Sequence, residues 1–269
     1  MEHLDLTILN SGFRINTSDD RMNDVLVQLW EPFLGNRHPP SLSVNVVRTE
    51  DGWGVSEATG EPSMENSPWK ALIEIRNRLV AVALEEAKEI LDLHAAVVVR
   101  DGSALLLVGD PYAGKTSLAV ELTAQGWSLF SDDVAPIESG SGKVLPFPKP
   151  LGIKLRAWSS YSHYWKRPPS WAPEDGEAFL VPASSLTARD PHPASIDYVV
   201  VLNFRKGVGG DLTELSVAEA TTLCGRQVRD VDHHKLRLVG RMCRRADCYR
   251  LTYDSDHRAS EILRACTSR

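Results

Sequence analysis

The sequence lacks any hydrophobic run near the ~20 residues that a membrane-spanning helix needs. Its apolar runs, such as residues 104–108, are only as long as strands. The first residues contain neither the basic nor the apolar segment of a secretory signal, so we expect a cytoplasmic protein without membrane contact. The four cysteines all lie in the last fifth of the chain, unlike the disulfide framework of a small secreted fold, and we expect them to be reduced.

An excess of positive charge is also absent. Lys and Arg number 30 against 36 Asp and Glu, and this net charge of −6 argues against a nucleic-acid partner. Residues 1–68 are acidic, with four Arg and no Lys against eleven Asp and Glu. Residues 224–250 are basic, with seven Arg and one Lys against three Asp. A chain of 269 residues that is 42% hydrophobic fits one large globular domain or two modest ones.

Two domains are predicted from the pattern along the chain. Residues 1–66 form a small acidic α+β module, because alternating residues 4–9 and 41–47 predict strands and the apolar spacing over 22–34 predicts a helix. Residues 57–66 are rich in Gly, Pro, Ser and Glu, which is typical of a linker. The second domain, 67–269, begins with a long amphipathic helix from Trp69 to about Leu91. Further elements are predicted as strands at 93–99, 104–108 and 127–130 and a helix at 118–125.

A phosphate-binding loop is predicted between the strand 104–108 and the following helix. The residues read Gly109-Asp110-Pro111-Tyr112-Ala113-Gly114-Lys115-Thr116, which satisfies G-x-x-x-x-G-K-[ST], and Ser117 follows. A loop with glycine at both ends turns consecutive backbone N–H groups toward nucleotide phosphates, and the helix N-terminus adds positive potential. In this chemistry Lys115 neutralises phosphate oxygens, and the Thr116 hydroxyl is a ligand of Mg²⁺. The motif therefore predicts binding of ATP with magnesium.

An acidic pair follows the next predicted strand. We expect the strand 127–130 to lie beside the strand that enters the phosphate loop, so that Asp132 and Asp133 face the crevice where open α/β sheets bind ligands. One carboxylate can then serve Mg²⁺ while the other acts as general base, although an isolated Asp-Asp pair also fits a solvated turn. His94 precedes the phosphate-loop strand, where antiparallel pairing brings it toward Asp132. A lone strand histidine also fits a core position.

Taken in order, these motifs resemble the core of the HPr kinase/phosphorylase family. The residues that carry the resemblance are Leu93-His94, Gly109–Thr116, Gly126 and Ser131-Asp132-Asp133, all between residues 93 and 156. The chain is similar, more distantly, to ATP-dependent phosphoenolpyruvate carboxykinases. The resemblance implies an α/β fold, a P-loop kinase core with a mixed central sheet preceded by the α+β module. It also implies a serine kinase in which Asp132 takes the acceptor proton, His94 orients Asp132 and Asp133 assists Mg²⁺.

The sequence departs from the family at its second signature. The run Phe147-Pro148-Lys149-Pro150-Leu151-Gly152-Ile153 carries Lys149 where the family has an arginine, and no acid stands at the position of the family's glutamate. This departure argues against the reverse, phosphorolytic reaction and against HPr as the substrate. Kinase-like proteins of peptide natural-product pathways, which carry an extra N-terminal module and modify precursor peptides, are closer in architecture.

Three further segments leave their roles open. The aromatic stretch with Trp158, Tyr161, His163, Tyr164, Trp165 and Trp171, together with Lys166-Arg167, fits a lid or peptide-binding surface, a core edge or an oligomer contact. The Arg-rich segment 226–250 fits a solvated helix face, or a surface for phosphates or an acidic substrate tail. Cys243 and Cys248, with His233-His234 upstream, lack the C-x-x-C spacing of structural zinc sites, and buried thiols are the better interpretation.

The sequence thus predicts an ATP-dependent kinase that transfers the γ-phosphoryl group to a serine-like hydroxyl of a peptide or protein. Two alternatives stay open at this point: a nucleotide-dependent peptide-binding module without chemistry, and a kinase of small-molecule hydroxyls. The intact set of His94, Lys115, Asp132 and Asp133 favours chemistry over binding alone, because a pure binder needs no base. Neither the acceptor nor the oligomeric state follows from the sequence, and a homo-oligomer is compatible with it.

Overall fold

The computed structural model describes residues 2–57, 60–154, 158, 161, 169–173, 178–189 and 191–267. Chain contacts divide the protein into two compact units. The first comprises Met1–Lys88 with Lys149–Ser185, and the second comprises Glu89–Pro148 with Leu186–Arg269. The division into domains at residue 66 stays a prediction, because compactness alone does not define a domain. In the described part of the chain, no helix has the length and apolarity needed to cross a membrane.

The first unit contains a five-stranded mixed sheet with the order β1-β2-β3-β4-β5. Its strands are β1 (Glu2–Ile8), β2 (Ser11–Thr17), β3 (Pro40–Thr49), β4 (Gly52–Glu57) and β5 (Ser63–Glu65). Helix α1 (Asp20–Trp30) begins where the Asp19 side chain accepts a hydrogen bond from the Met22 backbone N–H. Helix α2 (Pro68–Glu86) begins with proline at a position that needs no N–H donor. Strands β11 (Leu151–Lys154) and β12 (Ala178–Val181) form an antiparallel pair in the same unit.

The second unit contains a six-stranded mixed sheet with the order β14-β15-β13-β8-β7-β9. These strands are β7 (Ala95–Arg100), β8 (Ser103–Val108), β9 (Ser128–Ser131), β13 (Ser195–Phe204), β14 (Gly210–Glu214) and β15 (Asp247–Tyr253). Two more strands, β6 (Ile90–Leu93) and β10 (Ala135–Glu138), form an antiparallel ladder. The helices are α3 (Lys115–Thr123), α4 (Val217–Gly225), α5 (His233–Arg245) and α6 (Asp256–Cys266). Residues 104–108 of β8 are all fully buried, as expected for a strand covered on both faces.

The strand directions bring three segments to one edge of this sheet: the residues before β7, those after β8 and those after β9. Strand β7 is antiparallel to both β8 and β9, so the start of β7 lies at the edge where β8 and β9 end. The sequence prediction that the strand before the acidic pair lies directly beside β8 is wrong. Strand β7 lies between β8 and β9. Its residues Val97–Val99 pair with Ala104–Leu106 of β8 on one side and with β9 on the other.

The helix predicted to reach Leu91 ends at Glu86. Apolar residues at positions 90 and 91 continue the helical spacing, yet they form β6, in which Ile90 pairs with Glu138 and Leu91 pairs with Ile137. The single predicted strand at 93–99 is therefore two strands, and His94 lies between them. Residues 90 and 91 therefore form a strand with β10, although their apolar spacing also fits a continuation of the helix.

The aromatic segment lies partly outside the described residues. His163, Tyr164, Trp165, Lys166 and Arg167 are not described. Three other aromatics of the segment lie in the first unit: Tyr161 is buried, the Trp158 ring is 5.7 Å from the Phe179 ring, and the Trp171 indole donates a hydrogen bond to the Leu180 carbonyl. These contacts with β12 favour packing for the described part of the segment. In the second unit, Cys243 and Cys248 are buried, as predicted, and Cys224 is buried as well.

Candidate active site

The Gly109–Thr116 loop connects β8 to α3 with a backbone that few residue types adopt. Gly114 precedes the first residue of α3 with φ of 88°, in the left-handed region that glycine enters without steric cost. Tyr112 adopts φ of 67°, and the residue is 87% exposed. Within the loop, the Ala113 N–H donates to the Asp110 carbonyl at 3.1 Å. Gly114 has no side chain to cap the helix, so the first N–H groups of α3 receive no acceptor from their N-cap residue.

Lys115 is the buried cation of this loop, with only 6% of its surface exposed. Its Nζ donates hydrogen bonds to the Gly109 carbonyl at 2.8 Å and to the Asp110 carbonyl at 3.1 Å. Burial lowers the pKa of Lys115, and the negative charges of Asp133, Asp132 and Asp110 oppose this shift. The carboxylates thus help to keep a partly desolvated ammonium group charged.

Thr116 and Asp132 join the loop to the end of β9. The Thr116 Oγ1 donates a hydrogen bond to the Asp132 Oδ1 at 2.9 Å. Asp132 is 3% exposed, which is rare for a carboxylate and requires compensating donors. The hydroxyl predicted as a metal ligand and one carboxylate of the acidic pair are therefore direct neighbours.

Asp133 occupies the turn after β9. Its φ of 64° lies in the left-handed region, which Asp tolerates better than most residues. The Ser131 hydroxyl donates to the Val134 carbonyl and closes this turn. The His94 Nδ1 lies 2.8 Å from the Asp133 carbonyl oxygen. Since a carbonyl only accepts, Nδ1 carries the proton in this contact, and in the neutral imidazole Nε2 is the acceptor.

The structure thus brings the predicted site residues together at the sheet edge. Lys115, Thr116, Asp132, Asp133 and His94 are linked by the contacts above. His94 reaches the acidic pair through the backbone of Asp133, whereas the sequence placed its imidazole near Asp132. The other residues predicted to bind the nucleotide are in the same loop or the first turn of α3: Gly109, Asp110, Pro111, Tyr112, Ala113, Gly114 and Ser117.

Sequence reasoning missed the residues that support the loop from other parts of the chain. Tyr253, the last residue of β15, is fully buried, and its hydroxyl donates to the Ala113 carbonyl at 2.7 Å. Asp256 begins α6 beside it, and burial together with the charge of Glu121 raises the pKa of Asp256 to about 6. The Gln227 Nε2 donates to the Asp110 Oδ1 at 3.0 Å. These contacts span more than 100 residues, and no local motif reveals them.

The donor set fits the two groups that the motif predicts. The Thr116 hydroxyl and the carboxylates of Asp132 and Asp133 are oxygen ligands, which Mg²⁺ prefers. The Lys115 ammonium and the N-terminus of α3 suit the negative charge of nucleotide phosphates. The same arrangement supplies two carboxylates, of which one can accept a proton while the other serves a cation.

Comparisons with known proteins show a distant likeness of fold to solved structures. No protein-family model matches this chain, and no curated protein matches it either. Among solved structures, the chain is similar to the Hpr(Ser) kinase/phosphatase from Coxiella burnetii, with a TM-score of 0.33 and 11% identity. The match covers 65% of this chain and 89% of that chain. The chain itself is a mixed α/β protein with mixed sheets.

Proposed function

We propose that the protein is an ATP- and Mg²⁺-dependent kinase that transfers the γ-phosphoryl group to a serine-like hydroxyl of a peptide or protein. A precursor of a peptide natural product is one such acceptor. The observation that carries the proposal is the chain of contacts from the buried Lys115 through the Gly109–Thr116 loop to Asp132. It places a cation, a hydroxyl and a carboxylate at the end of a buried strand, where phosphoryl transfer needs charge stabilisation and a base.

Lys115 has two tasks in this proposal. It exchanges its hydrogen bonds with the Gly109 and Asp110 carbonyls for phosphate oxygens, and it stabilises negative charge there. Because the ammonium is already desolvated, its interaction with an anion is stronger than that of an exposed lysine. The N-terminus of α3 adds backbone N–H donors to the same anion. The Mg²⁺ ion, when bound, neutralises phosphate charge, and Thr116 is one of its ligands.

Asp132 is proposed as the general base and Asp133 as the metal ligand. His94 then orients the acidic pair, because its Nδ1–H fixes the turn through the Asp133 carbonyl. The contact of Asp132 with the Thr116 hydroxyl favours a second division of roles, in which Asp132 serves the metal beside Thr116 and Asp133 is the base. The two divisions predict different behaviour of matched Asp→Asn variants.

The function is tested with the full chain, Mg²⁺-ATP and an array of serine-containing peptides, read by the mass of an added phosphoryl group. We expect phosphorylation of a subset of serine peptides and none of the matched alanine peptides. Lys115→Ala is expected to lose both transfer and affinity for a fluorescent ATP analogue. Binding of the analogue by wild type without transfer to any acceptor would replace the kinase with a binding module.

The roles of the two carboxylates are separated by titrating Mg²⁺ in Asp132→Asn and Asp133→Asn. Loss of the base lowers kcat by about 10²–10⁴ and leaves the magnesium requirement unchanged. Loss of the metal ligand raises the Mg²⁺ concentration needed for half-maximal activity. A kcat equal to that of wild type in both variants would contradict both assignments of the base and the metal ligand. Analogue binding is measured in each variant, so that a folding defect is distinguished from a catalytic one.

A further inference from the structure

The segment that links α4 to α5 runs directly beside the candidate active site. The Gln227 carbonyl accepts the His94 backbone N–H at 2.8 Å, and Val228 forms an antiparallel bridge with Leu93. The Gln227 side chain reaches the loop by donating to the Asp110 carboxylate. One residue of this segment therefore touches both His94 and the Gly109–Thr116 loop. Arg229 follows two residues later in the same segment.

Arg229 is held in place by its backbone and by Asp92. Its N–H donates to the Asp92 carbonyl at 3.4 Å, and its Nη1 lies 3.8 Å from the Asp92 Oδ2. Burial raises the pKa of Asp92, while the charges of Arg229, Lys235 and His94 oppose this shift and that of Asp230 adds to it, so these groups surround one carboxyl. The Lys235 Nζ in turn donates to the Arg229 carbonyl at 2.8 Å. A half-exposed guanidinium in one long ion pair keeps N–H donors for another anion.

The surrounding charges determine what such a guanidinium binds well. Four carboxylates lie at this edge, namely Asp92, Asp110, Asp132 and Asp133, and they repel an acidic substrate unless a cation compensates. Lys115 and the N-terminus of α3 already serve the phosphates in the proposed function. Arg229 instead contacts Asp92, which precedes His94 by two residues, and the His94 Nδ1 contacts the backbone of the acidic pair.

We propose that the phosphoryl acceptor reaches the acidic pair from the side of Asp92 and His94, and that Arg229 binds an acidic side chain or a terminal carboxylate of this acceptor. The substrate class is then serine peptides that carry a negative charge close to the serine. This inference rests on the proposed function, since it takes the acceptor to be a peptide. For Arg229, the inference chooses between the two interpretations of the basic segment: this residue forms a substrate contact and is not simply part of a solvated face.

Binding of labelled peptides measures this contact without turnover. Three fluorescein-labelled serine peptides are compared by anisotropy in the presence of Mg²⁺ and a non-hydrolysable ATP analogue, with Asp, Asn or Lys on both sides of the serine. We expect wild type to bind the Asp peptide about tenfold more tightly than the Asn peptide, which corresponds to about 1.4 kcal/mol for one charge-assisted contact. The Lys peptide binds most weakly. Arg229→Gln removes most of the preference, and Arg229→Lys restores part of it.

Arg237→Gln is the matched control, because Arg237 is an exposed arginine of α5 that follows the segment. It should retain the full preference for the Asp peptide. Equal affinity of wild type for the three peptides, or an equal loss in Arg229→Gln and Arg237→Gln, overturns the inference. An Arg229→Gln variant that loses affinity for the ATP analogue but keeps the Asp preference assigns Arg229 to the nucleotide and also overturns it.

The same peptides, incubated with Mg²⁺-ATP, distinguish this inference from the proposed function. Selective binding of the Asp peptide without any added phosphoryl group contradicts the kinase and leaves the anion contact established. Phosphorylation of all three peptides at equal kcat/KM, in wild type and in Arg229→Gln, supports the kinase and removes the acidic substrate class. Phosphorylation of the Asp peptide with a KM raised about tenfold in Arg229→Gln and an unchanged kcat supports both.

Discussion

Gly114 lies close to Tyr253 in the candidate site, and this proximity gives a quantitative prediction. A Cβ added at Gly114 would lie 2.4 Å from the Tyr253 hydroxyl oxygen, far inside van der Waals contact. The same hydroxyl donates to the Ala113 carbonyl at 2.7 Å, so it cannot move without losing that hydrogen bond. Tyr253 is fully buried, which leaves its ring little room to shift. Gly114→Ala should therefore strain the loop and its anchor together.

The expected cost has three parts. A left-handed conformation costs a residue with a side chain about 1–2 kcal/mol. Loss of the Tyr253 hydrogen bond adds about 1 kcal/mol, and repacking around the new methyl adds about 1 kcal/mol more. We thus expect Gly114→Ala to lower the free energy of unfolding by about 3–4 kcal/mol, and to weaken binding of a fluorescent ATP analogue under conditions where the variant remains folded.

Gly126→Ala is the matched control for this prediction. Gly126 has φ of 89°, nearly the same as Gly114, but among the described residues no atom lies within 4 Å of the position of its Cβ. Gly126→Ala should lower the free energy of unfolding only by the cost of the left-handed conformation, about 1–2 kcal/mol. Urea unfolding of Gly114→Ala, Tyr253→Phe and the double variant completes the test. Because Phe lacks the clashing oxygen, the double variant should be more stable than the sum of the single effects allows. Equal costs at Gly114 and Gly126, with additive effects, would refute the reasoning.

Two other features predict measurable stability changes. Burial and the charge of Glu121 raise the pKa of Asp256 from its usual value near 3.8 to about 6, so the native state binds a proton more tightly than the unfolded state and loses stability as pH rises from about 4 to about 6. Asp256→Asn should raise the free energy of unfolding by about 1–3 kcal/mol at pH 7, and urea unfolding should show a weaker dependence of stability on pH. A lower free energy of unfolding at pH 7 would contradict this prediction. Ser216 caps α4 in a reciprocal box with Glu219, so Ser216→Ala should cost about 1 kcal/mol in the same assay, and an unchanged midpoint would show that the box is not stabilising.

The Gly109–Thr116 loop was predictable because its requirements are local. Glycine at both ends, a lysine and a hydroxyl after a buried strand specify a backbone that neighbouring residues alone determine. The edge of the sheet was not predictable in the same way. Whether β9 pairs with β8 or with β7 depends on side chains that meet only after the chain has folded, and Leu129 fits either partner by its type.

The roles of Tyr253 and Gln227 could not be predicted from the sequence either, because their contacts with the loop form only after the chain has folded. Tyr253 acts on the loop from 140 residues away, and Gln227 from 117 residues away. A tyrosine that ends a strand and a glutamine that follows a helix carry no local pattern that marks such contacts. Tyr253 reaches the loop because β13 pairs in parallel with both β8 and β15, which brings the end of β15 near the end of β8. Gln227 reaches the loop because its segment pairs with Leu93 and His94. Sheet order, more than motif, therefore determines which residues support the loop.

The electrostatics of the site affect how its variants are interpreted. Asp132 and Asp133 both help to keep Lys115 charged against the effect of burial, so neutralising either one lowers the pKa of Lys115 further. Part of the loss of activity in an Asp→Asn variant can then arise from a lysine that has given up its proton. That part grows as pH rises, because deprotonation removes the cation from the phosphates. Comparing the activity of each variant with that of wild type over a series of pH values separates the two causes: a deficit that is constant with pH belongs to the missing carboxylate, and a deficit that grows as pH rises belongs to Lys115.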